Sequence, residues 1–280
     1  MLLFHFDPTG ERRIADLGNL YFGQALFLIG GAPSLVAEDR DLFLEANESP
    51  LTMTMNNSAT MVASNLWCGG DHPSCYTDGT VQNRRATKFA PLHHAEALVQ
   101  GKPYFSLPNL FFFVPEAGIP WSRAFDPQPN VPWFHNTMFA SLCIAYALGF
   151  RRIYLVGCDF EVGAGPAYAW DTDLSAQEKD WNRRLYAYQA EELCGLKDVF
   201  AKAGMTLADT SAKSKLRGVY EWVDLQDAIG RERPMGDRVG STRLLPHSSR
   251  FAGRTIDEIV RGRMTPAVRS GREMPAVTVV

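Results

Sequence analysis

Two short apolar runs, each ending at glycine, constrain the fold of this chain more than any other feature. The run Ala25–Ile29 precedes Gly30 and Gly31, and the run 153–156 precedes Gly157. Strands covered on both faces, as in parallel sheets flanked by helices, are apolar at nearly every position. Glycine permits the positive φ of a tight turn directly after such a strand. The two runs therefore predict a buried parallel sheet.

Further strand and helix signals alternate along the chain. Residues 51–55, 65–68 and 205–208 predict three more strands. Alternation of strands with helices is typical of α/β proteins whose crossover connections are right-handed. The sequence therefore predicts a Rossmann-like open sheet, mostly parallel and flanked by helices.

Two helices are predicted in the second half of the chain. Asn136 or Thr137 caps an apolar, buried helix that ends after Leu148, because both side chains can accept bonds from free backbone N–H groups. A second helix begins after Ser175 and is predicted to run unbroken to Gly204. One side of it is apolar and carries Trp181, Leu185, Tyr188, Leu193, Leu196 and Phe200.

The predicted domain organisation has three parts. Residues 1–212 form the Rossmann-like domain, within which residues 74–135 hold eight prolines and form an irregular insertion. Residues 213–280 form a basic C-terminal extension, with eight arginines and two acids between 238 and 272. Such a segment contacts the phosphates of a nucleic acid, or is simply solvated or packed within a homo-oligomer.

Composition narrows the class of protein. The chain has 280 residues, of which 46% are hydrophobic and 21% charged, which excludes a disordered or fibrous protein. No apolar stretch is long enough for a membrane span or a signal peptide, so we expect a cytoplasmic protein of a bacterium or of a virus-infected host. The five cysteines are an odd number without framework spacing, and are expected to be reduced.

Ligands of open α/β sheets bind beyond the carboxyl ends of the strands, so the residues that follow each predicted strand are the candidate site. The loop after the first apolar run offers backbone N–H groups that can bind a phosphate near a helix N-terminus. It matches neither the dinucleotide-binding nor the Walker glycine pattern, and a tight turn without ligand is the alternative. Its residues are Gly30, Gly31, Ala32, Pro33 and Ser34.

Polar side chains follow the next two strands. The amides of Asn56 and Asn57 can hold a base, a ribose or a sugar hydroxyl, or they form an ordinary turn. His72 is a candidate hydrogen-bonding ligand of a nucleotide. A zinc site with Cys68 and Cys75 is disfavoured because their spacing is unusual for zinc.

Three residues are candidates for acid–base or metal chemistry. Asp171 and Asp173 form an Asp-x-Asp pattern that can hold Mg²⁺, although acidic residues are favoured near a helix start in any case. His135 directly precedes a helix cap and is a candidate general base.

Three motifs carry a family resemblance. The segments 28–35, 136–160 and 168–172 read LIGGAPSL, NTMFASLCIAYALGFRRIYLVGCDF and YAWDT. Together they resemble the bacterial sialyltransferases of the Campylobacter type. They are also similar to the related DUF115 superfamily, which includes hydroxymethylpterin diphosphokinases and flagellin-glycosylation factors.

The resemblance implies a role for each matching residue. The first loop and Asn56 or Asn57 would hold a nucleotide-sugar donor, and His72 stands where the family has an Asn before proline. The polar pair Asn136 and Thr137 would also bind the donor. Asp159, the next-to-last residue of the second motif, is a further candidate for donor binding, and Tyr168 matches a tyrosine that contacts the donor phosphate.

One departure concerns the base. The sialyltransferases use a histidine that follows the third motif, but this chain has no histidine between 135 and 247. Either the base is His135, Asp171 or Asp173, or the reaction is not sialyl transfer.

The resemblance favours a glycosyltransferase that needs no cofactor, with Mg²⁺ optional, acting on a glycan or nucleic-acid hydroxyl. The alternatives are a Mg-ATP-dependent pyrophosphokinase and a non-catalytic nucleotide-binding protein.

Overall fold

The chain forms a ten-stranded, mostly parallel sheet with helices on both faces, which confirms the predicted α/β architecture. This computed structural model describes residues 1–35, 37–45, 50–133, 136–162, 166–170 and 174–232. None of the helices in these ranges is long and apolar enough to cross a membrane.

The strands in chain order are β1 (Leu3–Phe6), β2 (Arg12–Ala15), β3 (Ala25–Ile29), β4 (Thr52–Met55), β5 (Leu66–Cys68), β6 (Thr87–Pro91), β7 (Leu98–Val99), β8 (Lys102–Pro103), β9 (Leu110–Phe113), β10 (Pro115–Glu116), β11 (Val131–Pro132), β12 (Arg152–Val156), β13 (Thr206–Asp209) and β14 (Glu221–Trp222). The helices are α1 (Ala37–Glu45), α2 (Asp78–Val81), α3 (Thr137–Leu148), α4 (Ala176–Gly195), α5 (Lys197–Lys202) and α6 (Leu225–Glu232).

The strand order places a topological switch between β3 and β12. The large sheet has the order β14-β13-β12-β3-β4-β5-β6-β9-β1-β2, and every pair from β14 to β9 is parallel. The chain proceeds from β3 through β4, β5 and β6 in one direction and from β12 to β14 in the other. Ligands of open α/β sheets bind at such a reversal.

The continuous apolar run of β3 is explained by burial on both faces. Leu26 and Leu28 belong to the core that contains α3, whereas Phe27 and Ile29 belong to the core that contains residues of α1 and α6. The side chains of a strand alternate between faces, so two cores require apolar residues at every position. Phe27 stacks on Tyr154 of β12 with ring centroids 4.8 Å apart, and this contact joins the two strands at the switch.

Helix α3 begins and ends at the residues that the sequence predicts. The Asn136 side chain accepts a hydrogen bond from the Met138 N–H at 2.6 Å, and Gly149 ends the helix with φ of 103°. This positive φ favours glycine, because a side chain there is strained. The helix is buried nearly all round and packs on β4, β5 and β11, which fixes its N-terminus beside the ends of those strands.

The region 74–135 is more regular than expected. It contributes β6 and β9 to the centre of the large sheet, where β6 pairs with β5 and β9 in parallel. The expectation of an irregular insertion was wrong for these residues because β6 carries Lys88 and ends at Pro91, which conceal its strand pattern. The aromatic residues 111–113 within β9 are buried.

The second predicted helix differs from the sequence-based expectation. It is interrupted at Leu196, where ψ is 0°, so α4 and α5 are separate helices. On α4, Trp181 is 65% exposed and Tyr188 is 54% exposed, so the apolar side of this helix is only partly buried.

The fold extends past residue 212. Strand β14 pairs with β13, and α6 buries Leu225, Ala228 and Ile229 against the second core. The arginine-rich segment 238–272 lies outside the described residues.

Lys88 is fully buried in β6, and its Nζ donates a hydrogen bond to the Asn83 carbonyl at 2.6 Å. Burial, with a smaller effect from the Arg84 charge, lowers the pKa of Lys88 to about 8. Between pH 8 and 10.5 the unfolded chain therefore binds more protons than the folded chain, so the free energy of unfolding gains a contribution that rises with pH.

We expect this contribution to reach at most about 3 kcal/mol and to disappear in Lys88→Met. Urea unfolding across this pH range measures it, with the exposed Lys102→Met as the control. Parallel curves for wild type and Lys88→Met would show that Lys88 keeps an ordinary pKa.

Candidate functional site

A cavity of about 470 Å³ opens at the carboxyl ends of β3, β4, β5 and β12. One side consists of loops that follow these strands, and the other consists of the start of α3 and one face of α4. The cavity thus occupies the place where the strand order predicts a ligand.

The cavity brings together most of the predicted site residues. Nine of them line it: Gly30, Gly31, Ala32, Asn56, Asn57, Asn136, Thr137, Asp159 and Tyr168. Pro33, Ser34 and His72 are not among its described lining residues. His135, Asp171 and Asp173, the three predicted catalytic residues, lie outside the described residues.

The glycine loop after β3 does not present a free set of backbone amides. The Gly30 N–H donates to the Val156 carbonyl at 2.8 Å, and the Ala32 N–H donates to the Gly157 carbonyl at 2.9 Å. Pro33 has no N–H group. The Ser34 N–H donates to the Asp159 carboxylate at 3.2 Å, and the Ser34 hydroxyl donates to the same carboxylate. Three of the four N–H groups in the predicted phosphate loop therefore have partners within the protein, and one of these partners is the Asp159 carboxylate.

Asp159 also binds the loop after β13. Its carboxylate accepts a hydrogen bond from the Ser211 hydroxyl at 2.6 Å, in addition to the two from Ser34. The side chain is only 6% exposed. A buried carboxylate requires such donors, because an unpaired buried charge is costly. Asp159 therefore links the ends of β3, β12 and β13 beneath the cavity wall.

Trp170 covers the remaining residue of the glycine loop. A Cβ atom added to Gly31 would lie 2.2 Å from Cη2 of Trp170, so only glycine fits below this ring. The Trp170 ring stacks on Tyr168 with centroids 4.7 Å apart and planes within 5°. The Ala169 N–H donates to the Gly31 carbonyl at 2.9 Å and holds the segment in place. The aromatic pair forms part of the cavity wall.

Asn56 organises the opposite wall. Its Oδ1 atom accepts hydrogen bonds from the Gly70 N–H at 3.3 Å, the Tyr76 hydroxyl at 3.0 Å and the Thr137 hydroxyl at 3.1 Å. Because this atom accepts three hydrogen bonds, it is the amide oxygen, and the other end of the amide is the nitrogen Nδ2, which can only donate. The residue has φ of 49°, a left-handed conformation that asparagine tolerates better than most residues. Asn56 therefore joins β4, β5 and α3 and keeps its N–H₂ group available at the cavity.

The next residue, Asn57, is held in a different way. Its Nδ2 donates to the Cys75 carbonyl at 3.2 Å. Its Oδ1 is buried and has no hydrogen-bond partner within the described part of the chain. Buried polar atoms are nearly always paired, so this oxygen is a natural acceptor for a ligand donor.

Helix α4 supplies residues that the sequence analysis did not identify. Asn182, Leu185, Tyr186 and Gln189 line the cavity. The Tyr168 hydroxyl lies 2.9 Å from the Tyr186 hydroxyl and accepts a bond from Asn182 Nδ2 at 3.3 Å. Burial raises the pKa of Tyr186 strongly, so its hydroxyl stays protonated. The spacing of these four residues along α4 places them on one face of the helix. The sequence alone does not show that this face lies at the cavity, so it could not assign them to the site.

The described lining is acidic. It includes the carboxylates Asp71, Asp159 and Glu161 and no lysine, arginine or histidine. The ligand's polar groups would meet neutral amides and hydroxyls, chiefly Asn56, Asn182 and Tyr168. Neutral donors stabilise a single negative charge far more readily than several.

His72 turns away from the cavity. Its Nδ1 atom lies 2.8 Å from the Ser74 hydroxyl, and its ring packs edge-on against His94 with centroids 5.4 Å apart. Burial and the neighbouring His93 and His72 lower the pKa of His94 to about 4. Among the residues that the structure describes, no group of three or more His, Cys, Asp or Glu side chains is arranged to hold a metal ion.

Asp209, which ends β13, lies fully buried behind Asp159. Burial raises the pKa of Asp209 to about 6, and the Asp159 charge adds to this effect. Its Oδ1 accepts the Ser211 N–H at 3.1 Å, whereas Oδ2 has no partner in the described ranges.

The raised pKa of Asp209 predicts whether the free energy of unfolding rises or falls with pH. Between pH 4 and 6 the unfolded chain loses the Asp209 proton before the folded chain does, so this residue lowers the free energy of unfolding as pH rises. We expect Asp209→Asn to match wild type near pH 4 and to be more stable by up to about 3 kcal/mol at pH 7.

Urea unfolding at both pH values measures the Asp209→Asn difference, and the exposed Asp198→Asn serves as the control. A substitution effect that is the same at both pH values would contradict a raised pKa.

Comparison with known proteins does not assign the chain to a family. No family model matches it, and no curated protein matches it. The resemblance to the sialyltransferases and the DUF115 superfamily stays a prediction that rests on the three motifs.

Proposed function

We propose that this protein is a glycosyltransferase whose donor is a sugar linked to a nucleotide. The observation that carries the proposal is the cavity at the β3–β12 switch, with neutral hydrogen-bond donors and an aromatic pair on its wall. The motif resemblance supports the same activity.

The charge of the cavity favours a donor with one phosphate. A sugar joined to a nucleoside monophosphate carries one negative charge on its phosphodiester, whereas a nucleoside diphosphate sugar carries two. Neutral amides and hydroxyls beside three carboxylates suit the first ligand better, because no described cationic side chain on the wall offsets a second charge.

The chemistry is displacement at the anomeric carbon. The bond between this carbon and the phosphate oxygen breaks, and its electron pair leaves with the nucleoside monophosphate. The acceptor oxygen forms the new bond, and its proton passes to a base. The Tyr168 hydroxyl and the amides of Asn56 and Asn182 would stabilise the charge of the departing phosphate.

Asn56→Asp tests this site with little change in shape. Aspartate retains an oxygen that accepts the three bonds from Gly70, Tyr76 and Thr137, but it replaces the Nδ2 donor with a second, charged oxygen. We expect the affinity for a nucleoside monophosphate sugar to fall at least tenfold while the folded structure persists.

Calorimetric titration with CMP-, UDP-, GDP- and dTDP-linked sugars in the presence of EDTA measures this affinity, and circular dichroism checks the fold. Asn83→Asp is the matched control, because the Asn83 Oδ1 accepts the Arg85 N–H at 2.9 Å outside the cavity. Failure of the wild type to bind any donor in this series would count against the function. Binding of ATP that requires Mg²⁺ would instead favour the pyrophosphokinase alternative.

A further inference from the structure

A transfer to a hydroxyl needs a group that accepts the hydroxyl's proton, and the cavity holds three described carboxylates. Asp159 is unsuited to this task because its oxygens accept three hydrogen bonds and the residue is only 6% exposed. Asp71 and Glu161 therefore remain as candidates among the described lining residues.

Asp71 is held in place by the network of the donor wall. Its N–H donates to the Tyr76 hydroxyl oxygen at 2.7 Å, and the Tyr76 hydroxyl donates to Asn56 Oδ1 at 3.0 Å. The backbone of Asp71 is thus coupled through one buried tyrosine to the amide that faces the ligand. This hydrogen bond anchors the backbone from which the Asp71 side chain extends at the cavity.

The surroundings of Asp71 suit a proton acceptor. No described cation forms an ion pair with its carboxylate. Burial raises the pKa of the carboxyl, and the Tyr76 hydroxyl partly offsets this effect. The residue is exposed, so a proton taken from the acceptor can pass on to water.

The other titratable groups near Asp71 are poor competitors. Burial raises the pKa of the Tyr76 hydroxyl and raises the pKa of the Cys68 thiol to about 12, so both stay protonated at neutral pH. Glu161 is also exposed, but of these two residues only Asp71 has a hydrogen bond to the Asn56 network in the described part of the chain, through its backbone N–H. Asp71 is therefore the better anchored of the two candidates.

We propose that Asp71 is the general base that accepts the proton of the acceptor hydroxyl. The acceptor O–H bond breaks as the oxygen forms its bond to the anomeric carbon, and the proton moves to a carboxylate oxygen of Asp71. The negative charge leaves with the nucleoside monophosphate. This assignment rests on the proposed glycosyltransferase activity.

The test compares Asp71→Asn with Asp198→Asn, which changes an exposed carboxylate outside the cavity, in donor binding and in sugar transfer. We expect Asp71→Asn to bind a nucleoside monophosphate sugar within threefold of wild type and to lose about 10²- to 10⁴-fold in kcat. The acidic limb of the pH–rate profile should disappear with it, and Asp71→Glu should restore part of the rate. Asp198→Asn should stay within threefold of wild type in both measurements.

The possible results distinguish a failure of the Asp71 assignment from a failure of the proposed glycosyltransferase activity. If the wild type neither binds nor transfers any donor, the function and the base assignment both fail. If the wild type transfers sugar and Asp71→Asn keeps a third or more of its kcat, only the base assignment fails. It also fails if the loss in Asp71→Asn lies in donor affinity, or if His135→Gln, Asp171→Asn or Asp173→Asn removes the acidic limb while Asp71→Asn keeps it.

Discussion

The carboxylate of Asp159 is the interaction on which the geometry of the site depends. It lies just past β12 at the switch point and accepts donors from the loop after β3 and from the loop after β13. Hydrogen bonds to a buried charge are stronger than neutral ones, and removal of either partner leaves a costly unpaired group. Three neighbouring strands thus end in a fixed arrangement around one anion, and the cavity floor is built on it.

This arrangement leaves few backbone N–H groups of the glycine loop available to a ligand. In many open α/β proteins the loop after the first strand binds the ligand's phosphate through its amides. Here the Gly30 and Ala32 amides donate to carbonyls, the Ser34 amide donates to Asp159, and Trp170 covers Gly31. The cavity has other polar groups on its walls, at Asn56 and at the α4 face that carries Asn182. Under the proposed function, we expect such a site to favour ligands of low negative charge.

The sequence predicted the centre of the sheet well because burial on both faces leaves an unambiguous pattern. Strands β3 and β12 are apolar runs that end at glycine, and α3 has its cap at Asn136 and its end at Gly149. In the same way, the carboxyl ends of the strands predicted six of the cavity residues, and the family resemblance added Asn136, Thr137 and Tyr168. Where local pattern and tertiary burial agree, a single sequence is informative.

The errors arose where tertiary contacts override local pattern. Strand β6 contains a buried lysine and a proline, and its pairing with β5 and β9 is a long-range property that no short window reveals. The apolar residues Trp181 and Tyr188 lie on the exposed side of α4, whereas polar Asn182 and Gln189 face the cavity. The loop amides were expected to be free because their partners lie on a distant part of the chain: the Ser34 amide, for example, donates to Asp159, 125 residues away.

Amide hydrogen exchange at Ser34 tests the central claim most directly, because it reports whether the Asp159 carboxylate holds the glycine loop in the ligand-free protein. The account predicts that the Ser34 amide is protected in the wild type and that Asp159→Ala exchanges it at least tenfold faster, while amides at the centre of β3 stay protected. A Ser34 amide that exchanges freely in the wild type would contradict the account and would return the loop to the role of an open anion site.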